Sequence, residues 1–245
     1  MPAGFGFWIT IDGSLNEAVA HAPASAAKKT RKLPVPWSPQ RYEEVILGLL
    51  RTLHGSAVGR AVMAQLSRPL MIRPYIWTPA NAIAVSQAGQ DATEKGAPIF
   101  CKDGDPYIEG TGKGSPVTIW ITPANRLIPD ASLLHEMVHA IRMMQGARTC
   151  YEYGGDFDRE EEYIAILLTN IFMSELGRKM IRLDHSSQSW VPATSPWDQF
   201  RIDPFLITTF SMRHSSLAMD LGRAKDATFN PFNPKYAEHL RVGPN

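Results

Sequence analysis

The sequence predicts an α+β protein, mainly helical with a small sheet. Three observations lead there. Apolar residues recur three and four apart along most of the chain, as on a buried helix face. Two runs, LMIRPYIW at 70–77 and VTIWIT at 117–122, are rich in β-branched and aromatic residues and read as strands. Ser, Asp and Gly stand where the periodic segments begin and end, as helix start and stop signals.

Residues 1–37 read as an N-terminal arm and linker, and 38–245 as one domain. Phe5 to Ile11 suits a short strand or docking segment. AHAPASAAKKTRKLPVP has linker composition, with Pro34 and Pro36 favouring extended backbone. The basic run from Lys28 to Lys32 is expected to be solvated linker rather than a binding tail.

Ser38 opens a helix with the stripe Tyr42, Val45, Ile46, Leu49, Leu50 and Leu53, and Gly55 stops it. Ser56 caps a second helix reaching about Leu66. Pro74 marks LMIRPYIW as an edge strand or a bent one. Ile83 to Val85 and Pro98 to Phe100 are short strand candidates, and GDPYIEGTGKGSP at 104–116 is turn-rich. Its GTGKG lacks the spacing of a phosphate-binding loop and reads as plain loop.

A helix is expected from Asp130, as N-cap, to Gly146, as stop. Leu134, Met137, Val138, Ile141 and Met144 supply its apolar side. The next helix opens at Asp158 and ends at Gly177, with Glu160, Glu161 and Glu162 in its first turn, where negative charge suits the helix dipole. Arg178, Lys179 and Arg182 suit the far end. His185 then falls in a loop. Pro204 to Met219 reads as one last helix, and FNPFNPKYAEHL as turns with a short helix.

The composition narrows the function classes. A 44% hydrophobic and 20% charged chain fits a soluble globular protein, and a net charge of +1 gives no argument for nucleic acid as a partner. No apolar run approaches the roughly 20 residues of a membrane span. The N-terminus lacks a basic n-region and carries Asp12 and Glu17, so a secretory signal peptide is not expected. Cys101 and Cys150 are too few for a disulfide framework and read as ordinary thiols, with a single disulfide left open.

One motif carries chemistry. His135, Glu136 and His139 form H-E-x-x-H on the helix expected from Asp130. Residues four apart share a helix face, so both imidazoles can reach one zinc ion. Glu136, one position along, is placed to take a proton from an attacking water. The helix is then buried on one side and chemically armed on the other. A third ligand should come from Glu160, Glu161 or Glu162. With Asp158 as N-cap, Glu161 falls at the reciprocal position of a capping box. Glu162 shares its face with Ala165, Ile166 and Thr169, where a small residue allows close approach, and is preferred, with Glu161 second and Glu160 third. His185, Tyr151 and Tyr153 are candidate oxyanion stabilisers, His185 also a candidate substrate contact. Asp156, Asp158, Asn170 and Asp184 are candidate partners for the histidine N–H groups.

HEMVHAIR, then DREEEYIAILLTN, after GTGKGSPVTIWITP, resembles the H-E-x-x-H zinc peptidases of secreted bacterial effectors. These include the NleD-type effectors and the metallopeptidase extensions of type VI secretion VgrG spikes. HGSAVGRAVMAQL followed by LMIRPY is similar to the helix–strand entry of those domains, so the likeness spans about residues 45–175. It implies a zincin-like fold in which the edge strand of a small sheet precedes the active-site helix. Val117 to Thr122 would be that edge and would align an extended peptide by β-augmentation. It further implies zinc held by His135, His139 and one glutamate of the run Glu160, Glu161 and Glu162, with Glu162 preferred and with Glu136 as the base. A zinc endopeptidase acting on protein or peptide follows, delivered as an effector by a signal-peptide-independent route or else cytoplasmic. The secretion apparatus or an immunity protein would be further partners. Two rivals remain: a zinc hydrolase of another amide, such as a cell-wall peptide, and a non-catalytic module stapled by zinc.

Overall fold

The computed structural model describes residues 9–13, 37–74, 84–88, 116–123, 127–147, 157, 159–185 and 190–240. It is a mixture of helices and small sheets, and the chain divides into two compact units. The first holds residues 1–52 and 66–149, the second 53–65 and 150–245.

The first unit is built on a four-stranded sheet of β1 (Ile9–Ile11), β2 (Leu70–Arg73), β3 (Ala84–Ala88) and β4 (Val117–Ile121), in the order β1-β2-β4-β3. β1, β2 and β4 run parallel, and β3 lies antiparallel to β4. Ile9, Leu70 and Val117 stand in register, as do Ile11, Ile72 and Ile119. In-register residues share a face, so these two rows form one apolar surface, while Thr10, Met71 and Thr118 point the other way. Part of the segment expected as an arm is thus a sheet strand. Asp12 continues the ladder by donating its N–H to the Ile72 carbonyl (3.0 Å), and its carboxylate pairs with Arg73 at 2.8 Å. Pro74 does not place β2 at an edge. It ends the strand, which is paired on both sides.

The helix α1 (Pro39–Gly55) buries Tyr42, Ile46, Leu50 and Leu53, one stripe at helical spacing. The Ser38 hydroxyl accepts from the Arg41 N–H, as a start signal should. Tyr42 donates its hydroxyl to the Ile121 carbonyl at 3.1 Å, fastening α1 to β4. Burial, with the charge of Asp12 adding, pushes this phenol far up, so it stays a donor at any ordinary pH.

β4 leads to α3 (Pro129–Met144), which packs on β4 and β3. Its N-cap is Ile128, not Asp130. Pro129 takes the first helical position, which suits its fixed φ and missing N–H, and Asp130 stands inside the first turn. The C-terminal stop is as expected. Gly146 adopts φ 66°, and the N–H groups of Gly146 and Ala147 close back on the carbonyls of Met143 and Arg142. Arg68 Nε donates to the Met144 carbonyl at 3.1 Å.

Two further expectations fail in this unit. β4, the strand before the motif helix, is no edge, because β2 and β3 pair with it on either side. Among the described residues the edges are β1 and β3. A one-face burial of α3 fails too: His135, Glu136, His139 and Arg142 are buried along with the apolar positions.

In the second unit, α2 (Ala57–Met63) starts at Ser56, whose hydroxyl accepts from the Gly59 N–H at 2.7 Å. Gly59 is required, since a Cβ there would collide with the Leu53 carbonyl. The Glu175 carboxylate accepts from the N–H groups of Ala57 and Val58, tying the start of α2 to the end of α4 (Glu160–Glu175). α4 is buried nearly all round, as its apolar composition demands, and ends at Gly177 with φ 66°. Its N-cap is Arg159, with no side-chain cap bond.

β5 (Met180–Arg182) and β6 (Trp190–Pro192) form an antiparallel pair, so Arg182, expected at a helix end, lies in a strand. Three residues each are too few for alternation to register. After α5 (Pro196–Gln199), the helix expected over 204–219 is two, α6 (Pro204–Arg213) and α7 (Ser215–Gly222), broken at His214 with φ −126° and ψ 50°. Asp203 caps α6 through the Leu206 N–H. The 3-10 helix Pro234–Leu240 closes the described chain. Cys101, Cys150, the 98–100 strand candidate and GTGKG lie outside the described residues. No helix among the described residues is long and apolar enough to cross a membrane.

Candidate metal centre

The site starts from one helical turn. His135 and His139 stand four apart on α3, with ring centroids 4.8 Å apart and ring planes at 85°. Stacked rings would present their faces to each other. These present nitrogen edges, and the two Nε2 atoms approach to 3.2 Å. Two nitrogens held by a tetrahedral zinc at about 2.05 Å each are about 3.3 Å apart, so the pair already has the span of two ligands. A hydrogen bond between two neutral imidazoles has the same length, so the pair alone does not demand a cation.

A carboxylate makes the difference. His135, His139 and Glu162 each offer one ligand atom, and these atoms all lie within 4.8 Å of one another. Two imidazoles and a carboxylate are the donor set that binds a divalent metal and leaves a coordination position open. The group could hold a metal ion. Desolvation favours the same conclusion: His135 and His139 are 6% and 9% exposed, and polar groups so deep need ligation or hydrogen bonds.

Of the three glutamates, Glu162 is the one in the cluster. The capping argument against Glu161 does not hold. The N-cap of α4 is Arg159, and with no side-chain cap bond there is no capping box to engage Glu161. Glu160 and Glu161 are buried at 7% and 3% exposure. Glu136 is 7% exposed, next to His135 on α3.

His185 lies just beyond β5, with Nε2 3.5 Å from Glu162 Oε2. The sequence offers no spacing that links these two residues. Asn170 and Asp184, candidate partners of the metal-site histidines, both stand beside β5. Asn170 brackets β5, donating from Nδ2 to the Arg182 carbonyl (2.8 Å) and accepting the Arg182 N–H at Oδ1 (2.9 Å). The Asp184 carbonyl accepts from Arg182 Nε at 3.0 Å. Tyr151, Tyr153, Asp156 and Asp158 lie outside the described residues. No family model, curated protein or solved structure matches the chain.

Proposed function

We propose that the chain is a zinc-dependent endopeptidase, with zinc held by His135, His139 and Glu162 and with Glu136 as general base. The observation that carries the reading is the convergence of two imidazole nitrogens 3.2 Å apart with one carboxylate. A zinc ion bound there would supply Lewis-acid charge, polarising a carbonyl and bringing the pKa of its water to about 7. Glu136 takes the proton of the attacking water and returns it to the leaving amine. Glu136 also argues against a purely structural site, which needs no base and closes its fourth position with another side chain.

The peptide substrate follows from the sheet. Among the described residues β3 is paired on one side only, and α3 packs against it. An extended chain added to β3 would run beside the helix that carries both histidines. The aligning edge is therefore assigned to Ala84–Ala88 in place of β4. Delivery as a bacterial effector rests on the resemblance of the H-E-x-x-H and DREEEYIAILLTN segments.

The test uses full-length protein, zinc analysis and a quenched peptide library. Wild type should hold about one zinc per chain and His135→Ala should lose it. Glu136→Gln, nearly isosteric, should keep the zinc and lose about 10²–10⁴-fold in cleavage rate. Unchanged cleavage in Glu136→Gln would remove the peptidase mechanism. Zinc retained in both proteins with no cleavage by wild type would favour a zinc-stapled module.

A further inference from the structure

We infer that His185 is a positioning residue for the metal centre, acting through Glu162 and not on the substrate. The inference rests on the metal reading above and adds the part of the fold that aims its acidic ligand.

Glu162 carries two carboxylate oxygens. One suffices for a metal, and Oε2 faces His185 Nε2 at 3.5 Å. That is ion-pair range, slightly longer than the 2.7–3.2 Å of a close N–H···O bond. An imidazole beside Oε2 biases the carboxylate toward binding through the other oxygen and limits its rotation about the last side-chain bond. The Glu162 side chain is 20% exposed, yet Oε2 itself is closed to solvent and faces the imidazole.

The imidazole is itself held. Asn170, eight residues after Glu162 on α4, grips the backbone N–H and carbonyl of Arg182 in β5. The Arg182 guanidinium then reaches forward to the carbonyls of Asp184 (3.0 Å) and His185 (3.3 Å). The path leaves α4 at Asn170, passes through β5 and the Arg182 side chain, and returns to α4 at Glu162. A residue that merely decorated a surface loop would not need its backbone fixed from the helix whose ligand it touches. A ring held beside the ligand's Oε2 is also poorly free to follow a substrate oxyanion.

Full-length protein is loaded with Co²⁺ as a spectroscopic stand-in, and affinity is read by chelator competition. In His185→Ala the metal affinity should fall about 10–100-fold, the range for lost outer-sphere partners, and the cobalt d–d bands should shift. His185→Gln, whose amide nitrogen has similar reach, should restore part of both. Arg182→Gln keeps the imidazole but releases the backbone beneath it, and should weaken binding in the same direction. The partial exposure of His185 means that its truncation opens no sealed cavity. On a peptide substrate, KM should stay near the wild-type value. Wild-type affinity and bands in His185→Ala, with kcat alone reduced, would overturn the inference and return His185 to an oxyanion role. If His135→Ala binds Co²⁺ as wild type does, the metal reading itself falls, which is a separate result.

Discussion

Removing one imidazole should erase a stabilisation that zinc confers. A ligand that binds only the folded state stabilises it by RT ln(1 + [L]/Kd), about 2.7 kcal/mol at a free concentration of 100 Kd. For a chain of this size each kcal/mol moves Tm by about 2–4 °C, so saturating zinc should raise the wild-type transition by about 5–10 °C. His139→Ala removes one of two nitrogens that stand 3.2 Å apart and leaves one imidazole and one carboxylate. If affinity drops a hundredfold, the same zinc concentration equals the new Kd. The linkage is then about 0.4 kcal/mol, a shift of about 1–2 °C. The assay is calorimetry on chelator-treated protein, with and without zinc, on both variants. Each variant is its own reference, so the void left by the histidine cancels from the difference. An equal zinc-induced shift in wild type and His139→Ala would refute the reasoning, because the metal would then sit elsewhere.

The remaining predictions concern the scaffold. Asn170→Ala strips both hydrogen bonds from the Arg182 backbone at a position with no solvent exposure, and should cost about 2–3 kcal/mol in chemical denaturation. Loosening β5 should also lower metal affinity, a second readout on the same variant. Ser56→Ala removes the cap on the Gly59 N–H and should cost about 1 kcal/mol, with no effect on metal binding.

Local interactions were legible in the chain, and long-range ones were not. The motif helix could be recognised because a four-residue spacing and a glycine stop act within a few turns of backbone. The same holds for the Ser38 and Ser56 starts, where a hydroxyl meets an N–H three residues on. The N-caps of α3 and α4 are displaced by a residue or two, since Pro129 and Arg159 occupy those starts without the side-chain bonds the sequence suggests. The α6–α7 break was invisible, because Phe205, Leu206, Phe210, Met212 and Leu217 continue the apolar pattern past His214.

What the sequence determined by itself was the pairing of His135 with His139, with Glu136 between them, since a helix of fixed pitch leaves those residues no choice of face. Tertiary structure decided which strand is an edge and which residue contacts Glu162. Strand order follows from pairing between segments far apart in the chain, so nothing in VTIWIT could reveal that β2 and β3 would flank it. His185 likewise reaches Glu162 only because β5 is folded back along α4 and clamped there by Asn170, a contact that no local pattern encodes.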